Sequence, residues 1–180
     1  MIEKPRLIAT QTICQHGSVQ IVQDTLDVSG ASQTYFYLAS QVASVATVGV
    51  TAENQILLTR QYRHPIEQVI YDLPGGGLAR GEDPMTGARR EFEEETGFYP
   101  RHIEPLGMYN QFPGTLRAIT HLYFARDLQK SQQNLDRFEV LELVPKPVGE
   151  VLEMIENGVF IDGSVQLGVL LALRKGFIHE

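Results

Sequence analysis

The stretch GGLARGEDPMTGARREFEEETGF, Gly76 to Phe98, decides how the rest of the chain is read. Asp83 suits an N-cap, Pro84 the first helical position, and Gly97 the stop, so a helix is expected between them. Within it Glu91, Glu94 and Glu95 fall at i, i+3 and i+4, which crowds three carboxylates on one side. Like charges at that spacing cost roughly 0.2–0.5 kcal/mol per pair. Such a face is either solvated or bound to something cationic. A glycine-rich turn, LPGGG from Leu73 to Gly77, leads into it.

Composition sets the frame around this helix. The chain has 180 residues, enough for one domain with a sizeable core. A net charge of -7 argues against a general nucleic-acid binder, although a single nucleotide needs only a local basic cluster. Cys14 is the one cysteine, so no internal disulfide forms, which fits a reducing cytoplasm. The opening MIEKPRLIATQ has no apolar signal region, and no run approaches a membrane span. A cytoplasmic location without membrane contact is the expectation.

Strand-like composition marks residues 6–15, 18–28 and 33–40, and these form an N-terminal extension, 1–43. It either covers a sheet edge or pairs with another subunit, and a homodimer is expected. The main domain, 44–180, opens with SVATVGVTA, a turn at Glu53-Asn54, and a hairpin partner, QILLTRQYR. Further strands are expected at 69–74, 102–112, 119–128 and 137–144, with a turn at Pro145 and Pro147. Helices are expected at 148–158 and 162–176, stopped by Gly158 and Gly176. The consistent fold class is α+β, a mixed β-sheet with helices packed on it.

Hard cations such as Mg²⁺ take carboxylate, phosphate and water oxygens. Three glutamates on one face suit two or three ions gripping a diphosphate, and Arg90 could hold a neighbouring glutamate in place. Gly75, Gly76 and Gly77 allow close backbone approach and offer carbonyls or amides.

The full spacing runs Gly76, five residues, Glu82, seven residues, Arg90-Glu91-Phe92, one residue, Glu94-Glu95, one residue, Gly97-Phe98. It resembles the Nudix box at every fixed position, and the likeness extends over about residues 44–175. The resemblance implies an α/β/α sandwich with a mixed sheet, to which the N-terminal antiparallel strands are added. It implies hydrolysis of a nucleoside diphosphate linked to another moiety, with Mg²⁺ or Mn²⁺ as cofactor. Glu91 and Glu95 match the principal metal ligands, Glu94 a further ligand or a base, and the Gly75 carbonyl a backbone contact. Arg90 matches the arginine that orients the glutamates, Glu82 an accessory position, and Gly76 lies where the backbone meets substrate.

The text before the box, LLTRQYRHPIEQVIYDLPGG, resembles the ADP-ribose pyrophosphatase and nucleotide-sugar branch. Arg60 and Arg63 are then candidates for diphosphate contacts. Pro113, sixteen positions after Gly97, matches a marker of that branch. The branch's glutamate falls on Ala118, so one carboxylate is missing. The candidates for a base are therefore Asp136, Glu139 and Glu94. A nucleoside diphosphate sugar is the expected substrate, ADP-ribose first and GDP-mannose as the alternative.

Overall fold

The computed structural model describes residues 3–40, 42–137 and 139–179. They form two compact units. One contains residues 1–43 and 110–119, so the N-terminal strands are joined by a segment from much later in the sequence. Its sheet has the order β1 (Arg6–His16), β2 (Val19–Val28), β3 (Ala31–Ser40), β8 (Leu116–Arg117). The first three strands pair antiparallel, and β8 adds to β3 in parallel.

The other unit contains residues 44–109 and 120–180. Its six-stranded mixed sheet has the order β10 (Leu141–Pro147), β5 (Gln55–Arg63), β4 (Ser44–Val50), β9 (Thr120–Lys130), β7 (Phe98–Tyr109). The short β6 (Gln68–Asp72) also pairs with β5. Strand β4 runs parallel to β9 along its length. It meets its expected hairpin partner, β5, only through Gly49 with Leu57 and Val50 with Ile56. That short overlap leaves the N-terminal half of β4 free on one edge, and the glycine-rich turn takes it.

Helices cover both faces of this sheet, and β4 records the fact in adjacent residues. Successive side chains of a strand point to opposite faces. Val48 faces helix α3 (Gly163–Arg174), where a Cβ on Gly168 would lie 3.0 Å from Val48 Cγ2. Gly49 faces helix α1 (Pro84–Thr96), where a Cβ would lie 2.3 Å from the Phe92 ring. Phe92 is fully buried, so glycine at position 49 is what lets α1 lie close to the sheet. Helix α2 (Val148–Glu156) buries Val148 and Val151 in the same core as Val48, Ile56 and Leu58.

Two expectations are corrected. The last strand begins at Leu141, not at Arg137, and Glu139 and Val140 precede it as irregular chain; Phe138 lies outside the described residues. It then continues through Pro145 and Pro147, which pair with Leu57 and Gln55. Because β10 is an edge strand, a residue without an N–H donor is tolerated there. Among the described residues no helix is long and apolar enough to cross a membrane.

Candidate active site

Helix α1 is fixed at both ends by its own sequence. Asp83 accepts the Thr86 N–H at 3.0 Å. Gly97 adopts a left-handed φ of 72° and donates its N–H to the Glu93 carbonyl. Buried Ala88 and Phe92 hold the helix to the sheet, which sets the direction of its glutamates.

The glycine-rich turn acts as an added piece of strand. Thr47 N–H donates to the Pro74 carbonyl and Val45 N–H to the Gly76 carbonyl, each at 2.9 Å. Gly75 N–H instead donates to Glu95 Oε2 at 2.8 Å. A Cβ on Gly75 would lie 2.1 Å from the Val45 carbonyl oxygen, and one on Gly76 would lie 2.5 Å from Glu91 Oε2. The two glycines therefore let the turn fit between β4 and the carboxylates of α1.

Arg90 organises the acidic face with all five of its N–H donors. Nε and Nη2 grip Glu82 as a fork, at 3.0 and 2.9 Å. Nη1 reaches Glu91 Oε1 at 2.8 Å and Glu94 Oε2 at 3.0 Å, and Nη2 also donates to the Gly77 carbonyl at 3.3 Å. The Arg90 fork, with the Ala79 N–H, holds Glu82 down at about 2. Glu82 also raises the Arg90 pKa, so the guanidinium stays charged.

The polar stretch after β9 is more than a loop. Ser131 N–H donates to the Gly97 carbonyl at 2.7 Å, Gln133 Nε2 to the Glu95 carbonyl at 2.7 Å, and Asn134 N–H to the Glu94 carbonyl at 2.8 Å. Ser131 Oγ donates to the Glu93 carboxylate. These bonds satisfy carbonyls that a helix end leaves without partners. The chain then turns, with Glu139 N–H on the Asp136 carbonyl at 2.9 Å, and the Glu139 carboxylate comes to lie against Glu95.

Glu95 is 2% exposed, and burial pushes its carboxyl up to about 9. The carboxylates of Glu139 and Glu91 add to the rise, while the Gly75 N–H opposes it. Glu91 is raised by burial, and Arg90 partly offsets that rise. Among the described residues no three His, Cys, Asp or Glu side chains are gathered into a ready-made cage, and Arg90 takes an oxygen of both Glu91 and Glu94. The donor chemistry nevertheless fits a hard divalent cation: the buried Glu95 carboxylate is destabilised in its charged form by burial and by the neighbouring charges of Glu139 and Glu91, a cost that a cation would remove.

The remaining expected residues are spread more widely. Alternation along β5 puts Gln61 and Arg63 on one face and Arg60 on the other. Arg60 sits 3.6 Å from Glu142 on an exposed rim, and Arg63 pairs with buried Asp72. Asp136 is exposed; with Glu139, Gln61 and Arg137 it lines a hollow of about 530 Å³. Pro113 belongs to the N-terminal unit, in a hollow it shares with Tyr35, Tyr37 and Arg117. Sequence alone missed Gln61, Arg137 and Gln133. Their one signal was position: Gln61 is one residue from Arg60, and the other two flank the acidic candidates.

The raised Glu95 carboxyl ties both stability and cation binding to pH. Its folded value of about 9 lies above the ordinary 4.5, so its contribution to stability declines as pH rises between those values. A cation on that carboxylate reverses the cost. Added Mg²⁺ should therefore raise the thermal midpoint more at about pH 8 than at about pH 6. Glu95→Gln should abolish the difference, and an equal Mg²⁺ effect in the variant would contradict the assignment.

Comparison with known proteins bears on this geometry. The NUDIX domain model matches residues 40–159. A protein of Bacillus methanolicus named methanol dehydrogenase activator is 31% identical, over 97% of this chain and 96% of its own length. The ADP-ribose pyrophosphatase of Bacillus subtilis (strain 168) is 25% identical, over 91% of this chain and 90% of its own. A solved structure described as an ADP compounds hydrolase superposes with a TM-score of 0.88, covering 98% of this chain and 97% of that one, and at 20% identity it speaks for the fold alone. A family match over well over half of the chain, with a 31% relative along nearly all of it, shows that the chain belongs to the Nudix family.

Proposed function

We propose that the protein hydrolyses the diphosphate linkage of a nucleoside diphosphate joined to a sugar, ADP-ribose first, giving AMP and ribose 5-phosphate. The observation that carries this reading is the buried Glu95 carboxylate, held by the Gly75 N–H on the same helix face as Glu91 and Glu94, with the charge of Glu139 acting on it from another segment. Glu91, Glu95 and the Gly75 carbonyl would hold Mg²⁺ or Mn²⁺, with Glu94 as a further ligand. When bound, the cation neutralises charge on diphosphate oxygens and makes water more acidic. Glu139 takes the proton of the attacking water, since of the three candidate bases it is the one on another segment whose charge acts on both Glu91 and Glu95. Arg90 keeps the glutamates in place. Gly76 meets the substrate through its backbone, and Arg63, on the face of Gln61, is better placed for the diphosphate than Arg60. The Bacillus subtilis relative's name supports ADP-ribose, and Ala118 keeps GDP-mannose as the alternative.

A second reading is a nucleotide-binding protein that signals through a partner without turnover. The Bacillus methanolicus relative's name favours it, and the complete set of glutamates disfavours it. In either reading two copies meet through the N-terminal sheet, where β1 is exposed along all 11 residues, including Leu7, Ile8 and Ile13; a monomer by light scattering at micromolar concentration would contradict this.

A panel of ADP-ribose, GDP-mannose, UDP-glucose and dinucleotides with Mg²⁺, read by product identity, tests the activity. AMP and ribose 5-phosphate are expected from ADP-ribose, and binding without turnover of any compound would sink the hydrolase reading. Glu139→Gln should lower kcat by about 100-fold or more, whereas Asp136→Asn should cost far less.

A further inference from the structure

A helix end leaves carbonyls that need donors, and α1 finds three of them in one polar stretch. Two of those donors, from Ser131 and Asn134, are main-chain N–H groups that any sequence except proline would supply. The third is the Gln133 side chain, held on the Glu95 carbonyl at 2.7 Å. Glu95 therefore holds the stretch through its main chain while its carboxylate faces Glu139. From Gln133 the chain runs directly to the Asp136 turn. There Glu139 N–H donates to the Asp136 carbonyl, and Asp136 N–H donates back to Glu139 Oε2 at 3.3 Å. A continuous set of bonds thus leads from the end of α1 to the Glu139 carboxylate.

The geometry points to Gln133 as a positioning residue for Glu139: together with the main-chain bonds of Ser131 and Asn134, its amide pins residues 131–134 to the end of α1 and so steadies the Asp136 turn that carries the Glu139 carboxylate toward Glu95. The assignment rests on the proposed role of Glu139 as base. Removing the amide leaves the main-chain bonds of Ser131 and Asn134 and the fold, but loosens the chain that leads from them to Glu139. A carboxylate displaced by even 1 Å costs much of its catalytic effect.

The test compares Gln133→Ala with Asn134→Ala, whose main-chain bond survives the change. Gln133→Ala should lower kcat by about tenfold or more with KM nearly unchanged, and Asn134→Ala should match the parent. In a Glu139→Gln background, Gln133→Ala should add less than about a twofold loss, because its effect passes through Glu139. The same factor in both backgrounds, or an unchanged kcat, would overturn the proposal. Hydrogen exchange gives a readout independent of turnover: residues 133–137 and Glu139 should exchange faster in Gln133→Ala while α1 stays protected. Unchanged exchange there would overturn the positioning role, whereas an inactive parent with the expected exchange pattern would count against the hydrolase reading instead.

Discussion

The Arg90 guanidinium is the constraint on which the site depends. Three glutamates one turn apart repel one another, and a helix carrying them bare would lose stability or splay the side chains. Arg90 removes the conflict by spending two donors on Glu82, one each on Glu91 and Glu94, and one on the Gly77 carbonyl. The fork on Glu82 is what makes this work, because it orients the guanidinium plane and leaves Nη1 aimed at Glu91 and Glu94. An ammonium has three donors on a flexible stem and no plane, so lysine cannot reproduce the set. Arg90 also leaves Glu91 Oε2 out of its grip, at the place a Cβ of residue 76 would occupy.

Rigidity comes from the sheet. Strand β4 lies between β9 and β5, and its free edge binds the glycine-rich turn through Val45 and Thr47. The turn therefore inherits the order of the sheet and presents the Gly75 N–H to Glu95 at a fixed height. Gly49 lets the Phe92 ring, and with it α1, come close from one face. The carboxylates are thus positioned by core packing from below and by hydrogen bonds from above. Sites on such elements hold their geometry better than sites on loops.

Much of this was legible in the sequence because it is local. The N-cap Asp83, Pro84, the stop at Gly97 and the spacing of the glutamates all act within one helix, so periodicity and capping chemistry reveal them. What stayed hidden depends on contacts between distant segments. Nothing in the SQQN stretch says that its donors will meet the last carbonyls of α1, since the partners lie 38 residues away for Gln133 and Glu95. The choice among Asp136, Glu139 and Glu94 was open for the same reason. Arg60 and Arg63 read as one basic pair until strand alternation put them on opposite faces. Pro145 and Pro147 read as a turn because proline usually ends a strand, and only the edge position of β10 explains why they do not.

The proposed metal site requires Arg90 to shape the glutamates into a cation platform without binding the cation itself. Titration of the protein with Mn²⁺, followed by electron paramagnetic resonance, measures this directly. Arg90→Lys keeps the charge but loses the fork, and it should weaken Mn²⁺ binding by about 10-fold or more, as changes behind metal ligands do, with the helical content unchanged. Mn²⁺ binding equal to that of the parent would contradict the claim.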